Sequence, residues 1–524
     1  MNGISKINPG RNLKVFVHFL GANNGVVTGS ATVVTIVRNN VTKNILVDYG
    51  SFQGEHEHIN QERFIVGDDI DCVLLTHAHL DHCGGIPALF RPLGEVIPYT
   101  GKVYGSRETL NQTVHILRDS AKIYENKLKG LKNEMDRTKE TLQKTKERRT
   151  REKARPAEIA SIDSAVEVIE DEEDILYSIE DVEEAIKHFV PVDVKVFGNE
   201  DITLFEGIDA KFIPSPHING ACMIELTAHL GDERFTIVFT GDIGKSDTLL
   251  YRKMRFPVNN DANCMIMESL HGDGPEIETL DESILKLKKI LKKAQKKQKS
   301  VIIPLFAMDR SAGFIKLFNQ FMDQGMYLQC FIDSPLAMKE LNCYINSYEE
   351  GSAWFKYLDG FPFKLDRFQV IEDYSQHMLA VKFRGPNVFI TSSCMGYGGR
   401  VGEYFEQHIQ DEDAIFIFPG FLPNECPSKE LLEAEKGSIV EINDRRYIKH
   451  CETIQLHGFS SHGYIDEKIK VLQSYPNVKT IFLNHGDEAS INGTYEEIKN
   501  FSLQYENKIR EIVVPKFDDI FELY

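Results

Sequence analysis

Four metal-competent side chains crowd the six positions His77-Ala78-His79-Leu80-Asp81-His82, directly after the apolar run Cys72-Val73-Leu74-Leu75. In extended chain, side chains two residues apart point the same way, so His77 and His79 are set to share one metal ion while Asp81 and His82 turn toward a second. A fold that holds this cluster must present it on a loop at a strand end. Two coordination spheres need more donors than one loop supplies, so further histidines and an aspartate should end other strands. His217 follows the apolar run 211–213 in IPSPHING, Asp242 ends 235–240 in FTGDIG, and His485 ends 480–483 in FLNHGDE. Asp48 closes ILVDYG, where a carboxylate could orient a metal-bound histidine or water from behind, or simply cap the strand.

The rest of the chain predicts the scaffold. β-branched runs bounded by glycine and polar turns mark strands at 14–19, 32–37, 44–47 and 71–76, and again at 193–197, 210–213 and 234–240. After 76–82, Gly84, Gly85 and Pro87 signal a helix start. Beyond residue 248 helical stretches alternate with short buried strands at 300–304, 328–332 and 387–390, the rhythm of a doubly wound α/β unit. Residues 452–524 then return to histidine-bearing loops after apolar runs, as in LHGFSSHG. A length of 524 residues fits two domains.

From Asp119 to about Arg155 the sequence turns helical and charged, with Leu128, Leu131, Met135 and Leu142 near heptad spacing. It predicts a projecting arm, about 119–165, that is either a solvated helix or a contact for RNA or a protein partner. Lys286, Lys288, Lys289, Lys292, Lys293, Lys296, Lys297 and Lys299 crowd a second helix, again either a solvated face or a track for a nucleic-acid backbone.

A net charge of −19 argues against non-specific coating of nucleic acid, so any such contact should be focal. No apolar run approaches the ~18 residues of a membrane span, and the opening MNGISKINPGRNLKV lacks a secretory apolar core. Nine cysteines without a C-x-x-C pair fit buried thiols in a reducing compartment. The expectation is a cytoplasmic protein with no membrane association.

These motifs, in this order, resemble those of the metallo-β-lactamase superfamily, and the flanking sequence resembles its RNA-metabolising β-CASP branch. FLGANNGVVTGSATVV, VDYGSFQG and THAHLDHCGGIPAL come first. MESLHGD, IPLFAMDRSAG, FIDSPLA and TSSCMGYGGR then resemble the β-CASP series, before FSSHG and NHGDE close it. The resemblance implies an α/β fold, an αββα metallo-β-lactamase sandwich with an inserted doubly wound β-CASP domain. The expected layout is 1–270 for the first part of the sandwich, 271–447 for the insert and 448–524 for the last part.

The resemblance further implies two zinc ions per chain, one held by His77, His79 and His217, the other by Asp81, His82 and His485, with Asp242 between them. Asp81 is also implied in catalysis. Glu268 matches the acidic residue at the start of the insert and His462 the histidine that it positions, which in the family protonates the departing oxygen. Arg310 and the turn carrying Ser392 and Ser393 lie where the family contacts substrate. The implied activity is hydrolysis of phosphodiester bonds in single-stranded RNA, as an endonuclease. The alternatives are a 5′–3′ exoribonuclease, a DNA nuclease or a non-catalytic scaffold, and a homodimer is a further option. DNA-directed relatives typically carry valine where His485 stands, which favours RNA. An end soon after His485, without the added domain of RNase J-like exonucleases, favours the endonuclease. Asp309 and Cys394 stand where the family commonly has glycine, and His271 lies in a stretch where it usually shows tyrosine and arginine. These departures fall on the substrate wall and leave the zinc set intact.

Overall fold

In the computed structural model the described residues are 12–62, 69–92, 97–151, 176–196, 198, 200–251, 256–355, 360–422, 426–443, 445–504 and 509–524. In chain order the first strands are β1 (Leu13–Gly21), β2 (Ala31–Arg38), β3 (Val41–Tyr49), β4 (Cys72–Leu74), β5 (Lys102–Ser106) and β6 (Phe189–Val192). Next come β7 (Ile202–Phe205), β8 (Ile208–Pro214), β9 (Cys222–Leu230), β10 (Glu233–Phe239) and β11 (Ala262–Glu268). The middle of the chain adds β12 (Ser300–Pro304), β13 (Gln329–Asp333), β14 (Phe368–Val370), β15 (Asn387–Thr391), β16 (Ala414–Pro419), β17 (Ile439–Ile442), β18 (Arg445–Ile448) and β19 (Glu452–Leu456). The last are β20 (Thr480–Asn484), β21 (Glu511–Val513) and β22 (Ile520–Glu522).

Two seven-stranded sheets, ordered β22-β1-β2-β3-β4-β5-β6 and β21-β20-β11-β10-β9-β8-β7, form the sandwich. Strict alternation builds it: in β1, Leu13, Val15, Val17 and Phe19 are buried while the residues between them are half-buried. That inner face meets Phe212, Ile224, Ile237 and Ile266 of the second sheet in one core. The outer faces carry separate cores, Leu46, Val73 and Leu117 on one side and Val238, Met265 and Ile498 on the other, which completes four layers. A third sheet, β14-β13-β15-β12-β16-β19, is parallel throughout. All five residues of β12 are buried, as a strand covered on both faces requires. Its last member, β19, comes after the 447/448 junction expected from sequence, so the chain leaves this sheet only after Leu456.

Two local expectations need correction. The strand expected at 193–197 is instead β6, ending at Val192, because Asp193 turns out of the sheet to pair with Arg107. Pro191 disguised it in the sequence, yet β6 is an edge strand, where proline is tolerated. The charged helix also starts earlier than Asp119, at Arg107, because Leu110, Ile116 and Leu117 are buried in its first turns. The part of the expected arm from 152 to 165 lies outside the described residues.

Candidate metal centre

All the predicted ligands lie at one edge of the sandwich, where β3, β4, β8, β10, β11 and β20 end. His77 and His79 follow β4, and Asp81 and His82 lie in the short helix α1 (Leu80–Cys83), with α2 (Ile86–Leu89) starting at Gly85 and Pro87 as the sequence predicts. The tight bend leaves no room behind it: a Cβ on Gly50 would sit 1.6 Å from the Asp81 carbonyl oxygen, so the turn after β3 must be glycine. Gly244 plays the same part beneath His217, where a Cβ would lie 2.3 Å from the His217 nitrogen.

The Asp242 carboxylate divides the centre in two. His77 Nε2 and His217 Nε2 each lie 3.3 Å from its Oδ2, and both lie 3.1 Å from His79 Nδ1. On the other side, His82 Nε2 and His485 Nε2 lie 3.1 and 3.3 Å from Oδ1, and Asp81 Oδ2 is 4.0 Å from His485 Nε2. The six flanking side chains therefore sort as three and three, and each set is close enough to share one ion. His77, His82, His217, Asp242 and His485 are buried, whereas His79 and Asp81 are partly exposed and mark the open face.

The donors fit a metal better than they fit each other. Both Asp242 oxygens and His82 Nε2 are buried without a hydrogen-bond partner among the described residues, although nitrogen and oxygen atoms stand only 3.1–3.3 Å apart. Orphaned groups of this kind are costly to bury unless something else satisfies them. Burial, helped by the neighbouring His77, pushes His79 down to about 3, and burial also lowers His77 and His217, so these rings are neutral with a lone pair to give. Burial opposes charge on His82 and His485 too, but Asp242 outweighs it and raises both. A nitrogen-rich set with carboxylates suits zinc or a similar divalent ion.

Asp48 stands behind the centre. Its Oδ1 accepts from the Thr76 amide at 2.8 Å, its Oδ2 from the Thr76 hydroxyl at 2.7 Å, and the same Oδ2 is 2.8 Å from His82 Nδ1. Asp48 and His485 take left-handed φ of 57° and 51°, a conformation costly for side chains with a Cβ and concentrated at functional sites. With Nδ1 held by Asp48, His82 turns Nε2 toward Asp242. Asp48→Ala is expected to weaken metal affinity about 10- to 100-fold, as read by competition with a chromophoric chelator. Unchanged affinity would reduce Asp48 to a strand cap.

Glu268 and His462 come together from opposite ends of the insert. His462 Nδ1 lies 3.1 Å from Glu268 Oε2, and Glu268 Oε1 accepts from the Ile243 amide at 2.5 Å. Nδ1 is thereby engaged, which leaves Nε2 as the ring's second polar atom. His462 is 18% exposed, on the same open face as His79 and Asp81. Sequence reasoning missed the supports. Thr76, the residue before the ligand cluster, also lies 3.1 Å from His77 Nδ1. Buried Lys468 donates to the Leu270 and Gly463 carbonyls at 2.6 and 2.9 Å, tying together the segments that carry Glu268 and His462. His271 stacks on Tyr464 and lies 3.0 Å from Ser460 Oγ, which accepts from the His462 amide.

The residues expected to contact substrate sit at the C-terminal ends of neighbouring strands of the third sheet. Arg310 opens helix α3 (Arg310–Asp323) after β12, donates to the Pro419 carbonyl at 2.7 Å and lies over the Phe306 ring. Ser392 and Ser393 follow β15; the Ser392 carbonyl accepts from the Val401 amide and the Ser393 hydroxyl donates to the Tyr397 carbonyl. No bond links these side chains to the predicted ligand set among the described residues. Asp309 has a left-handed φ of 52°, and its carboxylate accepts from the Tyr251 hydroxyl at 2.5 Å and the Tyr344 hydroxyl at 3.3 Å, so side-chain bonds hold a backbone that glycine would adopt freely.

Three family descriptions match successive parts of the chain: "Metallo-beta-lactamase superfamily" at residues 27–106, "Beta-Casp domain" at 314–431, and "Zn-dependent metallo-hydrolase RNA specificity domain" at 447–509. Among curated proteins, Ribonuclease TTHA0252 of Thermus thermophilus is 25% identical over 453 residues, covering 86% of this chain and 89% of its own. Probable RNase MJ4 of Methanocaldococcus jannaschii is 22% identical, covering 80% and 82%. Transcription termination factor FttA of the same organism is 23% identical over 82% of this chain, which spans 61% of that longer protein. With the two-sided Asp242 centre and the parallel-sheet insert in place, the chain belongs to the β-CASP branch of the metallo-β-lactamase superfamily.

Proposed function

We propose that this protein is a zinc-dependent endoribonuclease, with two ions per chain, that hydrolyses phosphodiester bonds in single-stranded RNA. The observation that carries the reading is the division of six donors about one buried carboxylate, with the Glu268–His462 pair beside its open face. His77, His79, His217 and Asp242 would hold one ion; Asp81, His82, His485 and Asp242 the other. When bound, such a pair activates water near neutral pH and offsets the charge that develops on a transferring phosphoryl group. The chain's own residues do the rest. Asp48 and Thr76 fix the rings of His82 and His77, so donors do not reorganise during reaction. Glu268 fixes the His462 ring, whose Nε2 gives the departing ribose oxygen its proton. Arg310, Ser392 and Ser393 contribute phosphate contacts from the insert wall.

The same reading assigns 271–456 to the insert and the flanking segments to the sandwich, on strand membership. A homodimer is a secondary proposal, read by sedimentation velocity of the full chain, and a protein partner on the arm is another, read by the loss of a co-purifying protein when the arm is shortened. No helix among the described residues is long and apolar enough to cross a membrane.

The test uses metal-analysed protein with matched single-stranded RNA and DNA carrying internal or terminal labels, beside an Asp81→Ala, His82→Ala double variant. Internal cuts in RNA alone, absent in the variant, are the expected result. Stepwise release of mononucleotides would replace the endonuclease with an exonuclease. Cutting of DNA alone, or of neither polymer, would overturn the ribonuclease reading.

A further inference from the structure

The lysine-rich helix α4 (Leu280–Lys297) is not used by the candidate centre. Its buried residues Ser283, Leu287, Leu291 and Ala294 face the insert. At about 100° per residue, Lys289, Lys292, Lys293, Lys296 and Lys297 fall in an arc of roughly 140° on the opposite side, and all five are exposed. From Ser283 to Ser300 there is no aspartate or glutamate, in a chain of net charge −19. Lys286 pairs with Glu278 and Lys293 with Glu452, and Lys299 donates to the Glu412 carbonyl. Lys289, Lys292, Lys296 and Lys297 have no such partner among the described residues. A face that served only to balance the acidic surface would pair these cations with it.

The stripe has a fixed relation to the reacting edge. The start of α4 is bonded to the turn that carries His462: the Gly458 amide donates to Ser283 Oγ at 2.9 Å and the His457 amide to Glu278 Oε2 at 3.1 Å. At 1.5 Å per residue, Lys289 lies roughly 9 Å and Lys297 roughly 21 Å further along the axis from Ser283. Cations spaced along a line that begins beside the His462 turn match the repeating phosphates of a flexible polyanion.

We infer that the outward face of α4 is a track for the phosphate backbone of single-stranded RNA on its way to or from the candidate centre; the inference rests on the ribonuclease reading above. Four lysines would each neutralise about one phosphate, without reading sequence.

The test compares the intact chain with a Lys289→Gln, Lys292→Gln, Lys296→Gln, Lys297→Gln variant and with the same four positions changed to arginine. Binding of fluorescein-labelled oligouridylate, one long and one too short to reach past the His462 turn, is followed by anisotropy over a salt series. Each phosphate contact to a single strand adds about 0.7 to the slope of log affinity against log salt, so the glutamine variant should flatten the long-RNA slope by about 2 to 3. The short RNA should bind and be cut as before, and the arginine variant should restore the long-RNA slope. An unchanged long-RNA slope, an equal loss on the short RNA, or no rescue by arginine overturns the track. The slopes decide this even if no RNA is cut, in which case the ribonuclease reading fails separately.

Discussion

Asp242→Ala is expected to lower RNA hydrolysis by about 10³-fold or more and to reduce bound metal, measured together on the same preparation. The size follows from position. Every other ligand touches one half of the centre, whereas Asp242 offers Oδ2 to His77 and His217 and Oδ1 to His82 and His485. Its removal leaves four buried histidines, His77, His82, His217 and His485, without a common anion, so the loss should exceed that of any single histidine. Thermal unfolding with and without added zinc separates a folding defect from a chemical one. A folded variant that keeps its metal and its activity would place the centre elsewhere.

His462→Ala should cost about 10²- to 10⁴-fold on RNA, the usual span for a lost general acid, while metal content stays the same. The departing ribose oxygen is a poor leaving group without a proton. An aryl phosphodiester whose leaving group departs as a stable anion has no such need, so the variant should act on it nearly as well as the unaltered protein. That contrast is specific to proton donation. If both substrates suffer equally, His462 instead belongs to the metal-holding set that it forms with Asp242, Glu268 and His485. Glu268→Gln should follow the same pattern with a smaller loss, because the amide retains a hydrogen bond to Nδ1 without the charge that stabilises the protonated ring.

The side chains that gather about Asp242 were legible because their chemistry is local. Two-residue spacing after a strand end fixes where His77 and His79 point, Asp81 and His82 come on the next turn, and His217, Asp242 and His485 each follow their own short apolar run. Strand order then brings β8, β10, β11 and β20 to one edge, so the chain needs no long loop to gather them. The apolar run of β12 announced a covered α/β sheet, because burial on both faces leaves a continuous apolar stretch, whereas the sandwich came from the resemblance: β1 read as a strand without saying what its buried face would meet.

What was not legible depends on partners far along the chain. Nothing near Lys468 says that its ammonium will bind Leu270 and Gly463, and nothing near Thr76 says that Asp48 will accept from it. The early start of the charged helix was hidden because Glu108, Thr109, Gln112 and Thr113 look like surface polarity, yet they are buried against the His217 loop, where Thr109 and Gln112 donate to Gly220 and Asn219 carbonyls. Likewise β19 reads as part of the closing segment, and only its parallel pairing with β16 assigns it to the third sheet.

The most direct measurement is anomalous X-ray scattering from crystals of zinc-loaded protein, with data collected on both sides of the zinc absorption edge. Two peaks are expected, one between Asp242 Oδ2 and His77, His79 and His217, the other between Oδ1 and Asp81, His82 and His485. A single peak, or peaks held by other side chains while these donors stay unbound, would contradict a two-ion hydrolytic centre built on Asp242.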